Sequence, residues 1–141
     1  SDVYKRQEDD AGANGEVVGF VTVSISAKTR PPERDRNMSP PDDAAYLANA
    51  CVAESARREG IGRALVKSVE DLVLEMGGCD VWLHVRELDE KAVRVYERFG
   101  FETVKADEKN PLLNLVLNRK ESRKGRILMR KVLAEGCNFI V

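Results

Sequence analysis

One junction constrains this chain more than any other feature. A short, almost wholly apolar segment, Ala44 to Val52, runs through a brief turn into Gly60-Ile61-Gly62 and a long amphipathic stretch. Interrupted only by Asn49, the apolar segment reads as a strand buried on both faces in the middle of a sheet. After the turn, Ile61, Leu65, Val69, Leu72, Val73 and Met76 recur at three- and four-residue spacing. Arg63, Lys67, Glu70 and Glu75 fall mostly elsewhere, so a helix is expected over 60–76. Gly77-Gly78 supplies its stop, because glycine readily takes the left-handed conformation of a C-cap.

Other elements extend the same pattern on both sides. Glu16 to Ser26 alternates Val17, Val21, Val23 and Ile25 with Val18, Phe20, Thr22 and Ser24, the period of a strand. Residues 9–15 carry the small and polar residues of a hairpin turn, which places any partner strand in the first eight residues. Residues 27–43 read as a polar loop carrying Pro31, Pro32, Pro40 and Pro41. Asp80 to Arg86 is a third strand, with Val81, Leu83 and Val85 on one face and Trp82, His84 and Arg86 on the other. Trp82 is expected to pack on the helix layer. A second helix starts at the N-cap residue Asp89 and ends at Gly100, with Ala92, Val95, Tyr96 and Phe99 as its apolar face. Strands follow over Phe101 to Ala106 and Arg126 to Leu133, with a helical turn expected at Pro111 to Leu117 in the linker between them. The resulting order indicates an α/β domain in which helices layer on a mixed sheet. Residues 16–133 form that domain, between an N-terminal segment 1–15 and a C-terminal tail 134–141.

The junction also carries chemistry. The first N–H groups of a helix lack intrahelical partners, and the macrodipole adds about half a positive charge there. A phosphate satisfies both if the backbone can come close, and Gly60 and Gly62 remove the β-carbons that would block it. Arg57 and Arg58 add cations beside the same opening, so the loop is an anion cradle fitted to a pyrophosphate. It is neither GxGxxG nor a loop ending in GK[ST], which removes the dinucleotide and nucleoside-triphosphate readings.

At this point the sequence resembles a family. Arg57-x-x-Gly60-x-Gly62 is similar to the (Q/R)xxGx(G/A) signature of the Gcn5-related N-acetyltransferases (GNAT). Ala92-x-x-x-Tyr96-x-x-x-Gly100-Phe101 resembles that family's second signature, and the likeness extends over residues 16–133. The wording of residues 45–52 and of Leu128 to Lys131 looks most like plant and algal plastid members. The resemblance implies acetyl-CoA as co-substrate, no metal, and transfer of acetyl to a primary amine by direct attack. A protein lysine or N-terminal amine is favoured as acceptor over a small amine. The alternative is a module that binds acetyl-CoA without catalysis, or an inactive fragment.

Residue roles follow from the same resemblance. Backbone groups at Cys51 and Val52 pair with the pantetheine arm, and those of Arg58, Glu59, Gly60, Ile61, Gly62 and Arg63 hold the pyrophosphate, with Arg57 beside them. Tyr96 sits near the CoA sulfur as general acid, a role open to a phenol of pKa near 10. Tyr96 also fits a core aromatic on the apolar face of its helix. Asp89 stands where the family usually has asparagine; it still caps the helix, but its charge suits the phosphates of CoA less well. The family's first strand and first two helices, which help to form the acceptor groove, have no counterpart before residue 16. No general base is assigned: strand 44–52 has no acid, Tyr46 occupies the relevant region, and a water oriented by Asn49 is the default.

Composition narrows the remainder. A net charge of −1 gives no global attraction to nucleic acid or an anionic membrane. No apolar run approaches the roughly 20 residues of a spanning helix. Cys51, Cys79 and Cys137 form no CxxC pair, which suits a reducing, intracellular setting, plastid or cytoplasmic. Cys51 has no histidine paired with it in sequence, and His84, alone in a strand, reads as structural. The basic run Arg119, Lys120, Arg123, Lys124 and Arg126 reads as a solvated loop, without the interleaved aromatics of a nucleic-acid surface. The opening Ser1 to Gln7 resembles adapter-derived sequence in translated transcriptome assemblies, so an incomplete N-terminus is expected. A monomer or homodimer is expected as well.

Overall fold

The computed structural model describes residues 3–7, 15–107 and 125–134. In chain order the elements are β1 (Val3–Gln7), β2 (Gly19–Ser24), β3 (Ala45–Val52), α1 (Ile61–Glu75), β4 (Asp80–Arg86), α2 (Glu90–Arg98), β5 (Glu102–Ala106) and β6 (Arg126–Val132). The strands form one mixed sheet in the order β1-β2-β3-β4-β6-β5. β3 and β4 are parallel and every other pairing is antiparallel. β1 is the expected partner of β2, matching Val3 with Ser24 and Gln7 with Phe20. The helical turn expected at Pro111–Leu117, the basic residues 119–124 and the end of the C-terminal tail lie outside the described residues.

The apolar stripe of α1 packs on one face of the sheet. Leu65, Val66, Val69 and Val73 meet Val21, Val23, Leu47, Val81, Leu83 and Met129, and Phe101 joins the same cluster. Gly77, at φ 82, ends α1 as its glycine pair suggests. A Lys131–Glu70 ion pair ties α1 to β6 across this face.

The other face departs from expectation. Trp82 does not meet the helices; with Met38, Ala44 and Leu128 it forms a second small cluster under the 27–43 connection. Its indole N–H donates to Asp80, which also accepts from Arg130. The connection is therefore not a free polar loop but a strap on the sheet. Buried Arg30 donates to the carbonyls of Pro40 and Pro41, Met38 is buried, and Glu33 pairs with Arg126 at 2.6 and 3.0 Å. Arg126, read from the sequence as part of a solvated basic loop, is thus held by a carboxylate. Cys79 is disulfide-bonded, a pairing that the cysteine spacing did not suggest.

Strand β3 is the other correction. It is central in the sheet, and Ala45 and Leu47 are buried, but Asn49, Ala50 and Cys51 are exposed. Two local facts explain it. β3 pairs with β4 only at Ala45↔Val81 and Tyr46↔Trp82, although both strands continue well beyond. On its other edge a bulge intervenes: Phe20 faces Cys51 and Thr22 faces Ala48, with Asn49 at φ 54 taking up the extra residue. Past the bulge the sheet forks, and the apolar sequence lines an opening instead of a core.

Candidate active site

The fork opens into a cleft of about 360 Å³ on the helical face. Ala50, Cys51 and Val52 form one wall, Arg57, Gly62, Leu65 and Val66 the floor, and Ala92, Val95, Tyr96 and Phe99 the other wall. The backbone edge of β3 beyond Tyr46 has no strand partner in β4, so its polar groups face this space.

The two helix starts differ in a way that marks one of them for an anion. Asp89 caps α2 by accepting from the Ala92 N–H at 3.1 Å, and Glu90 adds a second carboxylate in its first turn. α1 has neither: its N-cap is Gly60, no side chain caps it, and its first turn holds no acid. Gly60 sits at φ 79, a conformation that glycine takes without strain. Arg58 just before it is also left-handed, at φ 68, a rare state for a residue with a β-carbon. A β-carbon on Gly62 would meet only Val52 Cγ2, at 3.9 Å, so the space above this turn is open. Arg57 is tied to the β3 wall, its Nε donating to the Val52 carbonyl at 3.4 Å, while the guanidinium of Arg63 stacks over Phe99 at 6.0 Å.

Tyr96 stands opposite β3. Its ring packs edge-on against Phe99 and Phe101, at centroid distances of 6.3 and 5.7 Å. Burial, then the charge of Asp89, raises its pKa above the ordinary 10.0, so the phenol keeps its proton. Its hydroxyl has no hydrogen-bond partner among the described residues. Packing and an available proton are thus compatible in one side chain.

Of the residues singled out from the sequence, Cys51, Val52, Arg57, Gly62 and Tyr96 line the cleft. Arg58, Glu59, Gly60, Ile61 and Arg63 build the turn and first helical residues beside it, and Asp89 is engaged as a cap. Sequence reasoning missed Ala50, Leu65, Val66, Ala92, Val95 and Phe99 as cleft residues, because an apolar stripe looks the same whether it meets a core or a ligand. On the opposite face, His84 bonds both Tyr46 and the carbonyl of Met38 at 2.6 Å. Neither partner is near it in sequence.

The model of the acetyltransferase (GNAT) family matches residues 7–101. The chain is 33% identical over 142 residues to GCN5-related N-acetyltransferase 5, chloroplastic, of Arabidopsis thaliana, covering 95% of this chain and 41% of that protein. It is 37% identical over 59 residues to the [ribosomal protein bS18]-alanine N-acetyltransferase of Escherichia coli, covering 42% of this chain and 40% of that one. It therefore spans about two fifths of the length of these relatives. The crystal structure of Arabidopsis thaliana NAA60 in complex with acetyl-CoA superposes with a TM-score of 0.64 at 20% identity, over 94% of this chain and 77% of that one. With two thirds of its length matched by the family model, the chain belongs to the acetyltransferase (GNAT) family.

Proposed function

We propose that the chain is an acetyl-CoA-dependent N-acetyltransferase in which the fork cleft holds the co-substrate. The observation that carries this reading is the cleft itself. An uncapped, glycine-opened helix start lies at its floor, the β3 edge left unpaired by β4 forms one wall, and a phenol with no hydrogen-bond partner among the described residues faces it from the other. The pyrophosphate takes the N–H groups from Arg58 to Arg63, and the β3 edge at Cys51 and Val52 pairs with the pantetheine arm as an added strand does. Tyr96 holds its proton until the thiolate departs and then donates it. The overall exchange replaces a thioester by an amide, and the amine attacks the carbonyl directly.

The acceptor is a protein amine, either an N-terminus or a lysine, in preference to a small amine. Relatives named for ribosomal-protein alanine acetylation support this choice, and the chloroplastic name of the Arabidopsis relative supports a plastid setting. Residues 16–133 are the catalytic domain, to which β1 adds an edge. Calorimetric titration with acetyl-CoA, together with thiol release in the presence of peptide amines, tests the proposal. Saturable 1:1 binding with amine-dependent release is expected. Binding without release from any amine would leave a carrier module instead.

A further inference from the structure

The glycines around the start of α1 differ in what fills the space beside them. A β-carbon at Gly60 would meet nothing within 4 Å, and one at Gly62 only Val52 Cγ2, at 3.9 Å. Those two positions leave room for a ligand. Gly19, the first residue of β2, is buried, and the protein itself occupies the place of its missing side chain. A β-carbon there would lie 3.1 Å from the Cys51 carbonyl oxygen, 3.1 Å from Leu65 Cδ1 and 3.2 Å from Ile61 Cγ2, each shorter than ordinary van der Waals contact. Gly19 is not among the left-handed glycines, so the reason for glycine here is close approach and not backbone conformation.

This contact seats the first turn of α1. Ile61 and Leu65, one helical turn apart, rest against Gly19, while Gly62 stands over Val52. Gly19 and Val52 are partners across β2 and β3, so a single cross-strand pair lies under the turn. The chain on either side is tied to the same place. The Ala53 N–H donates to the Val18 carbonyl at 2.6 Å, and Arg57 Nε donates to the Val52 carbonyl at 3.4 Å. With no side chain capping α1, the turn takes its height over the sheet from this seat.

We infer that Gly19 is a positioning residue for the co-substrate: by letting α1 rest directly on β2, it sets the distance between the free N–H groups that open the helix and the β3 edge, and so the grip on the pyrophosphate. The inference rests on the acetyl-transfer reading above. Gly19 touches no part of the ligand and acts through Ile61 and Leu65. The Cys51 carbonyl belongs to the backbone of β3, opposite Phe20, and yields less than a helix end does. A methyl group added at Gly19 therefore lifts the first turn of α1 by a few tenths of an ångström. Several N–H groups move together in that shift. Hydrogen bonds weaken steeply as their geometry is disturbed, and a binding site tolerates only about 0.5 Å of displacement. The pantetheine arm, held by the β3 edge, and the phenol of Tyr96 on α2 are not displaced by it.

The test compares Gly19→Ala with Val69→Ala, a trim of the same helix at a core position that does not line the cleft. Both variants should lower the urea midpoint. Acetyl-CoA affinity by calorimetry is expected to fall about tenfold in Gly19→Ala and to stay within about twofold in Val69→Ala. The donor separates seat from stability a second time. With S-acetylpantetheine, which has no pyrophosphate, Gly19→Ala should release thiol to a peptide amine at the rate of the unaltered chain. A Gly19→Ala protein that binds acetyl-CoA as the unaltered chain does, or that loses activity with both donors alike, would overturn the inference while leaving acetyl transfer intact. If Gly19→Ala does not fold, Ile61→Ala empties the same contact from the helix side and should also weaken acetyl-CoA binding; an unchanged affinity would overturn the inference. An unaltered chain that binds no acetyl-CoA would remove both readings.

Discussion

Arg58 and Gly60 share a left-handed backbone, and the contrast between them separates geometry from chemistry. Gly60 adopts φ 79 without strain, whereas a residue with a β-carbon there costs about 1–2 kcal/mol. Gly60→Ala should therefore lower stability by about that amount in denaturant unfolding, although no atom lies within 4 Å of the added methyl. At Tyr96 the effect falls on the reaction instead. Tyr96→Phe keeps both edge-on ring contacts and removes only the hydroxyl. Turnover should drop about 10²-fold in a thiol-release assay, while acetyl-CoA affinity measured by calorimetry stays the same. Both residues were legible in the sequence because each sits in a short motif whose spacing fixes its place. His84 was not legible: its two partners lie 38 and 46 residues away, and nothing local distinguishes it from a structural strand histidine.

At the scale of elements, the strap over 27–43 shows why a polar, proline-bearing segment can mislead. Its ordering comes from single long-range contacts, Arg30 to the 40–41 carbonyls and Glu33 to Arg126, which leave no periodicity to read. β3 misleads in the opposite direction, since apolarity predicts burial but not what does the burying. The strap also makes stability depend on pH. The Arg126 hydrogen bond lowers the Glu33 pKa from 4.5 to about 2. The folded chain thus binds the Glu33 proton more weakly than the unfolded chain. That stability is present above the unfolded value and is lost as pH falls through about 4.5 towards 2. His84 shifts the same way, its folded pKa lying below 6.5, so its share is lost just below that value. Glu33→Gln should therefore flatten the pH dependence of urea midpoints below about pH 5 relative to the unaltered chain. An unchanged slope would show that the pair does not hold the strap in solution.

For the whole molecule, a sheet opened at one seam organises everything else. β1, β2 and β3 form one flank, β4, β6 and β5 the other, and the two meet through only the first residues of β3 and β4. α1 fastens both flanks through one apolar stripe, so Leu65→Ala, at 1% exposure, should destabilise the fold by about 2–5 kcal/mol. The α/β order and both helices were readable because long periodic stretches and glycine stops dominate them. The seam was not, since it depends on where two strands stop pairing. The central claim is that this seam is an acetyl-CoA cleft, and Gly62 tests it most directly. A β-carbon there meets only Val52 Cγ2, at 3.9 Å, and any larger residue replaces a helical glycine by a better helix former. Gly62→Leu should keep or raise the unfolding temperature while weakening acetyl-CoA binding by calorimetry at least about tenfold, about 1.4 kcal/mol or more. A stable Gly62→Leu chain that binds acetyl-CoA as well as the unaltered one would contradict the account.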